Sequence, residues 1–233
     1  MSEGIAPNYQ HRWLNGEAID LPAGKVVCVG RNYAAHAKEL NNPIPEKPIL
    51  FIKPSTALVA LNEPIPIREE QGGCHYETEI ALLIGKRLKN ATPDEARQSI
   101  KATGIALDLT LRDLQTQLKQ QSHPWEIAKG FDGACPISEW IPASELDPLS
   151  ETELQLTING EIRQQGNSRD MITAIPELLA YMSSYFTLEA GDIVLTGTPA
   201  GVGALTKRDQ LQLNLNRQYQ FRVKTRSTDG NSP

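Results

Sequence analysis

The sequence predicts a β-rich α+β domain, and three observations predict it. Most of the strong segment signals are short β-type runs, helical segments are few, and the two kinds of segment do not alternate regularly. Regular alternation would point instead to a doubly wound sheet or a barrel of strands and helices. With 233 residues, 39% hydrophobic and 22% charged, the chain can bury one sizeable core and lies far from the disordered range. Residues 25–225 are expected to form one domain, preceded by an extension at 1–24 and followed by a polar, flexible tail at 226–233.

Strands are expected at 26–29, 49–53, 76–84, 104–111, 154–158 and 192–196, where apolar and β-branched residues cluster. Asn159-Gly160 separates Glu153-Leu-Gln-Leu-Thr-Ile158 from Glu161-Ile-Arg-Gln-Gln165, and supplies the positive φ angles of a tight hairpin turn. A second hairpin, 211–215 with 219–223, alternates apolar and polar residues like a half-exposed sheet. Helices are expected at 33–40, at 93–101 after the capping Thr92, at 112–121 and at 170–185, where Pro176 forces a late start or a kink.

Several function classes are excluded by composition. A net charge of −5 with dispersed Lys and Arg lacks the footprint of a nucleic-acid binder. No run approaches the ~20 apolar residues of a membrane span, and the amino terminus has no apolar core of signal-peptide length. A cytoplasmic protein with no membrane partner is expected. Cys28, Cys74 and Cys135 lack zinc-knuckle or redox spacing, and Cys28 reads as part of a core strand rather than as a nucleophile. No Gly-x-Ser-x-Gly elbow is present, and His11, His36, His75 and His123 lack zinc-ligand spacing.

The chemistry concentrates in His75-Tyr-Glu-Thr-Glu-Ile-Ala-Leu-Leu-Ile84. Period two puts Glu77 and Glu79 on one face of a strand, roughly 7 Å apart, and the rest of that strand reads as buried on both sides. The bland alternative is a solvated edge. Asp108 interrupts the apolar run Ile105-Ala-Leu-Asp-Leu-Thr-Leu111, either to cap the next helix, to pair with Arg112, or to meet the two glutamates. Three converging carboxylates repel by about 4 kcal/mol per pair at 4 Å and an effective dielectric of 20, so they call for protonation or a multivalent cation. All-oxygen ligation selects a hard ion, Mg²⁺ or Mn²⁺. His36 and Glu39 share one helix face, as a carboxylate-oriented base or as a surface ion pair. The loop Thr196-Gly-Thr-Pro-Ala-Gly-Val-Gly203 lacks the helix a dinucleotide fingerprint requires and reads as a turn.

Six ordered motifs carry a resemblance: Gly-Arg-Asn-Tyr-x-x-His-x-x-Glu from Gly30, Phe51-Ile-Lys-Pro54, Glu77-x-Glu79, Asp108 with Arg112-Asp-x-Gln115, Lys129-Gly-Phe-Asp132 and Thr196-Gly-Thr-Pro199. Over roughly 25–223 the chain resembles short, single-domain members of the fumarylacetoacetate hydrolase family, among them acylpyruvases and oxaloacetate decarboxylases or tautomerases. The resemblance implies a mixed β-sandwich roll with a few peripheral helices, usually a homodimer. It implies Glu77, Glu79 and Asp108 as Mg²⁺ ligands, with Mn²⁺ as a substitute. His36, Glu39 and Lys129 are implied as catalytic, and Arg112, Gln115, Lys129 and Thr198 as contacts to a small 2-oxo acid. The leading functional expectation is C–C hydrolysis of acylpyruvates, of the fumarylpyruvate hydrolase type, through a metal-stabilised enolate. Oxaloacetate tautomerase or decarboxylase comes second, and isomerase or decarboxylase of aromatic meta-cleavage products third. A non-catalytic 2-oxo acid binding protein is the reading from another class.

Overall fold

The computed structural model describes residues 9–67 and 72–227. At its centre an eight-stranded mixed sheet sets Ile49–Lys53, Val26–Gly30, Ile193–Leu195, Thr78–Ile84, Ile100–Leu107, Cys135–Ile137 and Leu58–Ala60 side by side, with Ile141–Pro142 also paired to Ile100–Leu107. Thr78–Ile84 is buried at every position. Period two divides it between two cores: Ile80, Leu82 and Ile84 join Val27, Val29 and Ile105, while Ala81 and Leu83 join Val26, Cys28 and Ala106. Cys28 is accordingly a core residue, and all three cysteines are free and buried.

A five-stranded sheet of Glu161–Asn167, Glu153–Ile158, Gln210–Leu215, Tyr219–Ser227 and Ile65–Ile67 adds Leu154, Leu156, Leu211, Leu213 and Leu215 to the first core, as does the helix Ile175–Tyr185. Each fully buried leucine contributes about 1.5–3 kcal/mol. The second core is closed by Trp140 and Ile19, the latter from the stretch 9–24. A small sheet of Gly203–Ala204, Cys74–Tyr76 and Thr110–Leu111 completes the β structure among the described residues. The whole is the β-rich α+β fold that the strand pattern predicts.

The structure corrects three local expectations. The strand expected at 76–84 is two strands, Cys74–Tyr76 and Thr78–Ile84, broken at Glu77, and that expected at 104–111 is Ile100–Leu107 and Thr110–Leu111, broken at Asp108. Each break carries an acid out of the large sheet and lets the chain enter the small one. The helix expected at 93–101 ends at Gln98, because the buried Ile100 and Ala102 are claimed by the central sheet. The helix expected at 170–185 makes the late start expected from Pro176: it begins at Ile175, where the proline fits the first turn without losing a hydrogen bond. The last strand runs through Ser227, two residues into the expected tail, and 228–233 lie outside the described residues, as do 1–8 of the expected extension. Asn159 and Gly160 have φ of 53° and 86°, the turn expected from Asn-Gly.

Candidate active site

Strand register assembles the acids. Thr78 pairs with Leu107 and Glu79 with Ala106, and where the ladder breaks the Asp108 N–H still donates to the Glu77 carbonyl at 2.8 Å. Asp108 therefore sits across from Glu77 and beside Glu79. One carboxylate oxygen from each of the three lies within 4.8 Å of the others, and all three side chains are buried.

Three cations meet two of these acids. Lys129, from the short helix Glu126–Lys129, bridges Glu77 Oε2 at 2.9 Å and Asp108 Oδ2 at 2.6 Å. Arg112 opens the helix Arg112–Gln120 and pairs with Glu77 Oε1. Lys53, wholly buried, donates to the carbonyls of Leu109, Lys129 and Ala134, which uses its three protons. Asp108 Oδ1 lies 2.7 Å from that ammonium as a fourth oxygen, attracted but without a hydrogen bond of its own.

Glu79 is treated differently. Among the described residues its donor is a backbone N–H, that of Gly197, at 2.5 Å. Gly197 has φ of 96°, and a Cβ there would come within 2.7 Å of Asn32 Cβ, so the close approach of this loop to Glu79 needs glycine. Burial pushes the Glu79 carboxyl well up, and the neighbouring Asp108 and Glu77 charges push the same way. For Glu77 burial is outweighed by Lys129, Arg112 and His36, which hold it well below the usual carboxylate range. Burial opposes the charge on Lys129, yet Asp108 and Glu77 hold its pKa above the ordinary lysine value.

The remaining expected residues surround the acids. His36, buried on the helix Ala34–Glu39, places Nδ1 3.3 Å from Glu39 Oε2, and Glu39 Oε1 accepts from Gly201 N at 2.9 Å. Facing a carboxylate, Nδ1 carries the proton and Nε2 is left as the basic nitrogen. Gln115 is buried and accepts from Arg112 Nη1 at 2.8 Å. The Thr198 hydroxyl donates to the Thr78 carbonyl and accepts from Gln164 Nε2, each at 2.8 Å. Together His36, Glu77, Glu79, Asp108, Arg112, Gln115, Lys129 and Thr198 line one cleft of about 470 Å³ counting its open mouth, with Phe51 and Trp125 in its wall. Glu39 stands behind His36. Lys53 was missed from the sequence, although a lysine ending the apolar run Ile49–Lys53 was a signal of a buried cation.

The donor set fits a hard divalent ion. Glu79 has no cationic partner among the described residues, and all candidate ligands are oxygens. Cys28 and Cys135 are fully buried members of the second core and free of any disulfide. No helix among the described residues is long and apolar enough to cross a membrane.

Comparison with known proteins agrees with this geometry. The family described as fumarylacetoacetate (FAA) hydrolase C-terminal matches residues 25–225. The chain is 53% identical over 205 residues to oxaloacetate tautomerase YcgM of Escherichia coli K12, covering 87% of this chain and 93% of that protein. A fumarylacetoacetate hydrolase family protein from Yersinia pestis CO92 superimposes with a TM-score of 0.91 at 52% identity, over 93% of this chain and all of the other. Fumarylpyruvate hydrolase from Pseudomonas aeruginosa, solved with Mn²⁺ and pyruvate, gives a TM-score of 0.89 at 31% identity, over 96% and 98% of the two chains. A cleft floored by three buried acids, on a fold shared along almost its whole length with these enzymes, has one reading: the chain belongs to the fumarylacetoacetate hydrolase family.

Proposed function

We propose that the protein is a Mg²⁺- or Mn²⁺-dependent oxaloacetate tautomerase, interconverting the keto and enol forms of a small 2-oxo acid. The observation that carries the reading is the buried trio of Glu77, Glu79 and Asp108 beneath the cleft, and the 53% identity to an oxaloacetate tautomerase supports oxaloacetate as the substrate. This reverses the order expected from sequence, in which acylpyruvate hydrolysis led and oxaloacetate chemistry followed.

Glu77, Glu79 and Asp108 would hold the ion, which supplies Lewis-acid polarisation of the 2-oxo group. Lys129 and Arg112 keep positive charge beside the substrate's carboxylate and keto oxygens, and the amide nitrogen of Gln115 is the end left to donate to it. His36 Nε2 is the base that takes the C3 proton, and the C3–H electron pair becomes the C2=C3 bond. The 2-oxo oxygen takes up a proton from water to give the enol, and the imidazolium returns its proton to water; Glu39 fixes the imidazole by accepting from Nδ1. Thr198 holds the wall opposite, tied to the backbone of Thr78. Lys53 acts from beneath, tying Asp108 to three carbonyls.

Acylpyruvate hydrolysis is the second reading, favoured by the same His36–Glu39 pair, which suits activation of water, and by the similarity to fumarylpyruvate hydrolase. Rates on oxaloacetate enol, acetylpyruvate and fumarylpyruvate, with Mg²⁺ and with EDTA, test the choice. A Mg²⁺-dependent loss of enol absorbance faster than any C–C cleavage is expected, and cleavage without tautomerisation would overturn the reading. A homodimer in the cytoplasm completes the proposal, and sedimentation and cell fractionation test it.

A further inference from the structure

Above the acid floor, the mouth of the cleft carries two cations to which the mechanism assigns no task. Arg31 and Lys119 both line it. Among the described residues neither has an acidic partner. Lys119 is only partly exposed, and its ammonium stands 4.9 Å from the centroid of the Trp125 ring, which itself faces Phe51 at 6.3 Å. Arg31 is half-buried and adopts φ of 61°, a left-handed backbone that a non-glycine residue rarely takes. Such an outlier at a pocket rim is a place where local strain is spent on aiming a side chain.

Unpaired cations crowded together need an anion. The Lys119 pKa is pushed down to about 8, by burial first and then by the positive charges of Arg31, Arg112 and Lys129. Arg112 and Lys129 are already engaged with Glu77 and Asp108 at the floor, whereas Arg31 and Lys119 are not. Oxaloacetate is a dianion: its C1 carboxylate and 2-oxo oxygens belong at the floor, and its C4 carboxylate is left to face outward, toward the mouth.

Resting on the oxaloacetate reading, we infer that Arg31 and Lys119 are specificity residues, which bind the distal carboxylate of a dicarboxylic 2-oxo acid while the acid floor holds the other end. The pair then separates dicarboxylates from 2-oxo acids with a neutral tail, since charge-assisted hydrogen bonds to a carboxylate are the strong ones and their loss is felt by the tail alone.

Steady-state tautomerisation of oxaloacetate with Mg²⁺, inhibited by oxalate, tests this in wild type, Arg31→Gln, Lys119→Gln, the double variant and Lys119→Arg. Oxalate has two charges but no tail, so it reads the floor and any long-range field. The KM for oxaloacetate is expected to rise about tenfold in each neutral variant and further in the double. The oxalate Ki should stay within about twofold of wild type, which also reports an intact floor, and Lys119→Arg should retain most of the wild-type KM. An unmoved KM, or a KM and Ki that rise in parallel, overturns the inference. Failure of wild type to act on oxaloacetate is a different result: it is read before any variant is compared and sinks the functional reading instead.

Discussion

The two ends of the Thr78–Ile84 strand bury polar groups in opposite ways. At the Ile84 end the buried ionisable groups His11 and Asp192 both have partners. His11 Nε2 lies 3.2 Å from both the Pro22 and Gly191 carbonyls, its Nδ1 accepts from Trp140 Nε1 at 3.0 Å, and Asp192 takes Lys25 together with the backbone N–H groups of Lys25 and Glu189. At the Glu77 end one acid, Glu79, is buried with a backbone donor and no cation, next to two other carboxylates. The first arrangement is what stability alone produces. The second costs stability unless a bound cation compensates it. The difference teaches which buried polar cluster to read as structural and which as chemical.

The largest expected effect comes from neutralising the unpaired acid. Glu79→Gln should lower Mg²⁺-dependent turnover about 1000-fold, while raising the metal-free melting temperature by about 2 °C because a costly buried carboxylate is gone. Turnover at wild-type level would erase the contrast between the two ends. Lys53→Met should be strongly destabilising, by about 3 kcal/mol in denaturant titration, since it strips Asp108 and three carbonyls of one shared cation. At the satisfied end, Trp140→Phe leaves His11 Nδ1 without a donor and should cost about 1–2 kcal/mol, a drop of about 4 °C, with Mg²⁺ dependence of turnover unaltered.

The smallest effect is a pH dependence. Burial lowers the His11 pKa below its ordinary 6.5, and Nδ1 already accepts from Trp140, so the folded protein keeps this imidazole neutral. Below 6.5 the unfolded chain takes up a proton that the folded chain refuses. The His11 contribution is therefore fully present above 6.5 and declines as pH falls, by no more than about 1.4 kcal/mol per pH unit. Melting curves at pH 7.5 and 5.5 should show a shallower pH slope in His11→Gln than in wild type. An equal slope would mean the histidine is not held neutral.

Much of this was legible in the sequence because it is local. Apolar residues on both faces of Ile80–Ile84 announced a strand buried on both sides, Asn159-Gly160 announced its hairpin, and the pair Glu77 and Glu79 flagged the acid cluster. What sequence reasoning missed depends on register and crossing. The breaks at Glu77 and Asp108 arise because the chain changes sheets there, and propensity carries no record of a change of partner strand. Lys53 reaches Asp108 across 55 positions, and Arg31 and Lys119 line one cleft only because a helix and a loop converge on it. The amino-terminal stretch was left without a role, although His11 and Ile19 prove to be core residues.

Crystals grown with Mn²⁺ and oxalate, examined by anomalous scattering, test the central claim most directly. A single strong peak bounded by Glu77, Glu79 and Asp108, each contributing an oxygen at about 2.2 Å, with both oxalate oxygens completing its coordination, is the result the account predicts. Mn²⁺ bound elsewhere, or oxalate seated in the cleft with no ion among those three carboxylates, would contradict it.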